Sequence, residues 1–100
     1  MVVVGWGSTF GSIRAAVSAA QADGKSVSHV HLRYLNPLPS DLGNVLKCFR
    51  RVLVPEMNLG QLVKVLRAEY LIDAIGMNKV QGLPFKVREI TNRIDSMLQE

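Results

Sequence analysis

The chain has 100 residues, of which 48% are hydrophobic and 20% charged, with a formal net charge of +4. That length sets one small domain over 1–100, and the apolar content excludes a disordered or fibrous chain. No apolar run is long enough to span a membrane, no basic leader precedes Val2, and the single cysteine, Cys48, excludes an internal disulfide and fits a reducing, cytoplasmic setting.

Residues 2–6 form a short continuous apolar run bounded by glycine, the pattern of a strand buried on both faces. Ser8 or Thr9 is placed to cap the helix that follows, in which Ile13, Ala16, Val17 and Ala20 make a narrow apolar stripe. Asp23-Gly24 stops that helix. In the next strand, Val27–Arg33, the residues Val27, His29, His31 and Arg33 share one face, and Val30 and Leu32 share the other. It is more polar than the first strand, which places it near a sheet edge. Asn36-Pro37-Leu38-Pro39 is a rigid connector. Ser40 or Asp41 then caps a helix over Asp41–Phe49, with Leu42, Val45, Leu46 and Phe49 apolar and Cys48 read as a packed, inert thiol.

Residues 51–54 form the third strand. Asn58 and Gln61 have capping-box spacing ahead of a helix whose buried face is Leu59, Leu62, Val63 and Leu66. Leu71, Ile72, Ala74 and Ile75 predict a fourth strand. After Gly82-Leu83-Pro84-Phe85 comes a last helix with Val87, Ile90, Ile94, Met97 and Leu98 on one stripe, started at Lys86 without a Ser or Thr cap. Four strands alternating with four helices imply an α/β fold, a three-layer sandwich on a mostly parallel sheet. A switch in winding between the first and third strands gives the order second, first, third, fourth. The turns Gly5–Phe10 and Glu56–Gln61 then meet at the carboxyl ends of the two central strands, where such sheets present their functional surface.

The chemistry legible at those turns is limited. Gly5-x-Gly7 lacks the third glycine of a dinucleotide fingerprint, since Phe10 stands there, and Arg33 stands where the acid after the second strand is needed. A tight turn with close helix–strand approach is the reading preferred. A second reading, from a different function class, is a small anion- or nucleotide-binding module using the helix N-terminus at Ser8. Glu56 has no second acid or nucleophile near it in sequence. It is read as a contact to a neighbouring domain or as support for the Asn58–Gln61 turn, so Glu56→Gln is expected to leave the isolated fold nearly unchanged. His29 and His31 lack a third ligand nearby, so no metal site is assigned. Lys and Arg are dispersed and no aromatic ladder accompanies them, which speaks against nucleic acid.

Four segments together carry a family resemblance: Val4-Gly5-Trp6-Gly7-Ser8, Leu32-Arg33-Tyr34-Leu35-Asn36-Pro37-Leu38-Pro39, Val54-Pro55-Glu56-Met57-Asn58-Leu59-Gly60-Gln61-Leu62, and Gly82-Leu83-Pro84-Phe85. In this order they resemble the C-terminal, transketolase C-terminal-like domain of the alpha subunit of bacterial 2-oxoacid:ferredoxin oxidoreductases, most closely the 2-oxoglutarate type. The resemblance implies a fragment of a longer subunit, lacking the antiparallel edge strand usual beside the second strand. It implies an enzyme complex that converts a 2-oxoacid and coenzyme A to acyl-CoA, carbon dioxide and reduced ferredoxin. Thiamine diphosphate, magnesium and iron–sulfur clusters would be held by other domains and by the beta subunit. This domain would be catalytically inert, with no catalytic or metal-ligating residue of its own. Its part is assembly and active-site closure through Gly5, Trp6, Gly7, Ser8, Thr9, Arg33, Glu56, Asn58, Gly60 and Gln61, with neither nucleic acid nor membrane as a partner.

Overall fold

A computed structural model describes residues 1–33, 38–57, 60–78 and 84–99. In chain order the elements are β1 (Val2–Trp6), a 3-10 turn (Gly7–Thr9), α1 (Phe10–Ala22), β2 (Ser28–Leu32), α2 (Leu42–Lys47), β3 (Val52–Glu56), α3 (Gln61–Tyr70), β4 (Ala74–Asn78) and α4 (Val87–Leu98). The sheet runs β2-β1-β3-β4 and every pairing is parallel, which is the order and direction the alternating pattern predicts. Among the described residues the partly buried β2 is an edge strand, as its polarity implies.

Side-chain alternation along the central strands divides the core into two layers. Val2, Val4, Val52 and Val54 pack with Leu42 and Leu46 of α2 and with Leu62, Val63 and Leu66 of α3. Val3 and Leu53 point to the opposite face, against Ile13, Ala16, Val17 and Ala20 of α1 and Ile90, Ile94 and Met97 of α4. Both central strands are therefore apolar on both faces, which explains their unbroken valine and leucine runs. The alanines of α1 allow it to lie close to the sheet. Gly5 brings it closer still, since a Cβ there would stand 2.4 Å from Ile13 Cδ1 and 3.1 Å from Thr9 Oγ1.

Several boundaries differ from the sequence reading. α2 ends at Lys47, and Cys48, its C-cap, is exposed rather than packed. β3 continues through Pro55 to Glu56. β4 begins only at Ala74, because α3 runs to Tyr70 and Leu71 closes it in the left-handed conformation (φ 54°) with its side chain 89% exposed. Neither Ser40 nor Asp41 makes the expected cap: Asp41 sits at the N-cap of α2 without a side-chain bond. At α4 the missing Ser or Thr is compensated from inside the helix, where Glu89 Oε1 accepts from the Lys86 backbone N–H at 2.9 Å. Asp23-Gly24 does end α1, with Gly24 at φ +80°.

Candidate functional site

The two central strands run side by side, but their backbone ladder stops short of their carboxyl ends. β1 and β3 pair only through Val2–Val52 and Val3–Leu53, whereas β3 and β4 stay paired through Glu56 and Asn78. Pro55 has no N–H to give a ladder, and it lies just beyond the last β1–β3 pair. Beyond the strand ends lies a cavity of about 150 Å³ lined by Trp6, Gly7, Ser8, Thr9 and Met57. This is the end of the sheet at which the winding switches.

On the β1 side the chain leaves the strand through Gly7, whose φ of +65° a side chain would strain and whose Cβ position has no heavy atom within 4 Å. Thr9 is buried and its hydroxyl donates to the Trp6 carbonyl at 2.9 Å, which closes the turn on itself. Ser8 is exposed and its hydroxyl reaches Met57 Sδ at 3.5 Å, across the cavity. Neither residue caps α1 with its side chain, so the expected cap is replaced by a 3-10 turn running directly into the helix.

The β3 side is organised by Glu56, which is 1% exposed. Its Oε1 accepts from Leu62 N–H at 2.7 Å and from Trp6 Nε1 at 3.0 Å, and its Oε2 accepts from Val63 N–H at 3.1 Å. The carboxylate therefore caps the first turn of α3, where the helix dipole also favours negative charge. Of the two roles expected for Glu56, supporting this turn is the one it fills. The carboxylate is buried among these three donors. Asn58 lies outside the described residues, and the N-cap of α3 is Gly60 at φ +87°, with no side-chain cap. Gly60 is buried, and a Cβ on it would meet Val63 Cγ1 at 3.2 Å and Asn78 Nδ2 at 3.4 Å.

The remaining expected positions are more dispersed. Gln61 is exposed on the first turn of α3, and Arg33 is exposed just after β2, outside the set that lines the cavity. The connector residues 34–37 and the Gly82-Leu83 pair lie outside the described residues. Met57 was not among the expected site residues. Its position directly after β3 was the available signal, but methionine at a strand end reads as packing, and it does pack beneath α1 and α4 as well as lining the cavity.

On the α1 face of β2, His29 and His31 stand beside Phe10. Phe10 lies 5.7 Å from the His29 ring and 4.8 Å from the His31 ring, and it is 41% exposed rather than fully packed. Burial, then the neighbouring charges of His31 and Arg14, hold the His29 pKa below the ordinary imidazole range. Among the described residues no group of three metal-ligating side chains comes together. One cysteine in the whole chain does not fit an iron–sulfur cluster, which requires several thiolates. Among the described residues no helix is long and apolar enough to cross a membrane.

Residues 1–92 match the family described as pyruvate:ferredoxin oxidoreductase core domain II. The chain is 46% identical over 98 residues to the 2-oxoglutarate oxidoreductase subunit KorA of Mycobacterium tuberculosis, covering 98% of this chain and 15% of that protein. It is 35% identical over 83 residues to the 2-oxoglutarate synthase subunit KorA of Methanocaldococcus jannaschii, covering 76% of this chain and 22% of that one. The fold superimposes with a TM-score of 0.89, at 35% identity, on a chain of the 2-oxoglutarate:ferredoxin oxidoreductase from Magnetococcus marinus solved with 2-oxoglutarate, coenzyme A and succinyl-CoA bound. That match covers 95% of this chain and 17% of the other. The chain thus spans about a fifth or less of the length of these relatives. By sequence match and by fold, it belongs to the pyruvate:ferredoxin oxidoreductase core domain II family.

Proposed function

We propose that this chain is a non-catalytic domain of the alpha subunit of a 2-oxoglutarate:ferredoxin oxidoreductase, an enzyme that turns a 2-oxoacid and coenzyme A into acyl-CoA and carbon dioxide while two electrons pass to ferredoxin. The observation that carries this reading is the 46% identity to a KorA subunit along 98% of the chain. Thiamine diphosphate would supply the carbanion chemistry from a site elsewhere in the assembly. The residues here do not fit that group or its magnesium.

The domain's own contribution is docking. The cavity between Trp6 and Met57 is open, and among the described residues the acid beside it, Glu56, is turned into the fold and held by backbone N–H groups and the indole. The cleft offers instead an exposed backbone at Gly7, a hydroxyl at Ser8, an indole edge and a thioether, which suit close packing against the rest of the alpha subunit or against the beta subunit.

The test is to produce the full-length alpha subunit with its beta subunit and to follow reduction of a low-potential dye dependent on 2-oxoglutarate and coenzyme A. Activity is expected from the pair and not from this chain alone. Ser8→Arg, an exposed change at the cleft, is expected to lower co-purification and activity together without lowering the melting temperature of the domain. An assembled pair with no activity on any 2-oxoacid would overturn the enzyme reading. Unchanged assembly and activity in Ser8→Arg would overturn the docking role of the cleft.

A further inference from the structure

His29 Nε2 and His31 Nδ1 are both buried without a hydrogen-bond partner. A buried polar nitrogen left in this state is tolerable as the lone pair of a neutral imidazole, but it becomes a buried N–H donor without an acceptor once the ring is charged. The two rings lie 6.2 Å apart on one face of an edge strand, with Phe10 against both of them and the Arg14 guanidinium 5.9 Å from the Phe10 centroid. Among the described residues, the elements on the histidine face of β2 offer no counter-charge. β1 (VVVGW) has no ionisable side chain, and α1 (FGSIRAAVSAAQA) has only Arg14, a like charge. Phe10 is also the first residue of α1, joined directly to the Gly7–Thr9 turn that walls the cleft.

We infer that Phe10, His29 and His31 form a proton-sensitive latch on the start of α1. With the His29 imidazole neutral, the phenyl ring stays seated on β2. With it charged, the ring needs water, Phe10 lifts to admit it, and the Gly7–Thr9 turn shifts with it. Burial, then the charges of His31 and Arg14, disfavours the charged form of His29 in the seated state. The latch does not depend on the docking reading of the cleft, because its readout is the turn itself.

The experiment is an NMR titration of this chain from about pH 8 to about pH 5, a span that brackets imidazole protonation. It follows the imidazole protons together with the amides of Ser8, Thr9 and Phe10. Far-UV circular dichroism confirms that the fold persists, which the hydrophobic clusters on both faces of the sheet lead one to expect. The amides of Ser8–Phe10 should move with the same midpoint as the His29 imidazole, and the response should vanish in the His29→Gln/His31→Gln variant. Arg14→Gln, at an exposed position, should shift the midpoint upward. Amides that stay flat while the imidazoles titrate, or a response that persists in the double variant, overturn the latch. Should the double variant fail to fold, Arg14→Gln decides alone. An amide midpoint that does not rise with that of the imidazoles overturns the proposal.

Discussion

Trp6 and Glu56, fifty positions apart in the chain, are joined by a hydrogen bond of 3.0 Å from the indole nitrogen to the carboxylate. The two residues end neighbouring strands whose backbone ladder has already stopped at Val3 and Leu53. The bond therefore links the two sides of the cleft at the level where the backbones no longer do, and the same carboxylate starts α3 through Leu62 and Val63.

Glu56→Gln is consequently expected to destabilise the isolated domain, against the sequence-based expectation of a nearly unchanged fold. The amide removes the charge that the helix terminus favours and sets an NH2 group among donors. The loss should be about 2 kcal/mol, in the range for charged buried hydrogen bonds. Urea denaturation measures it, and an unchanged midpoint would return Glu56 to the list of partner-facing residues. Trp6→Phe should cost about 1 kcal/mol, and it should cost less in the Glu56→Gln background, because the two side chains share one bond.

Gly5→Ala should cost about 1–2 kcal/mol through overpacking against Ile13 and Thr9. Ile13→Val removes Cδ1, the atom that the new methyl would strike at 2.4 Å. The double variant should be more stable than the sum of the single effects predicts, whereas strict additivity in chemical denaturation would show that the close approach of α1 to β1 is not what requires glycine.

The layout of the fold was legible because it rests on local patterns. The Ile13, Ala16, Val17, Ala20 stripe is wholly buried, and the parallel order follows from alternating strands and helices. The role of Glu56 was legible only as one of two alternatives, without its bonding partners. A capping residue normally lies beside its helix in sequence and is recognised by spacing, whereas Glu56 caps from the preceding strand and takes a third donor from Trp6. The end of α3 was misjudged for a related reason. Leu71-Ile72 looks like the start of a strand, yet Leu71 is a left-handed C-cap with an unburied side chain, a place where glycine is the usual signal.

Leu71→Gly should therefore stabilise the domain. The position needs a positive φ, which leucine adopts at a cost of about 1 kcal/mol, and almost no apolar burial is lost. Part of the gain is offset by the freer unfolded chain, so a net increase of about 0.5 kcal/mol is expected in thermal or urea unfolding. A decrease would mean that the leucine packs in solution.

Stability should also fall in mild acid. An unfolded His29 takes its proton near pH 6.5, and in the fold it takes it at a lower pH. Between those values the unfolded chain binds more protons, so His29's contribution is complete above about pH 6.5 and declines as the pH falls through the window. Denaturation midpoints measured across that range should drop with acid, and His29→Gln should flatten the dependence.

The β1–β3 ladder has its last backbone pair at Val3–Leu53, while the two strands run on side by side and are tied at their ends by the Trp6 indole and the Glu56 carboxylate. The carboxyl-terminal edge of the sheet centre is therefore held by a side-chain bond where the amino-terminal edge is held by backbone. A single substitution can loosen that edge without cost to either hydrophobic layer behind it.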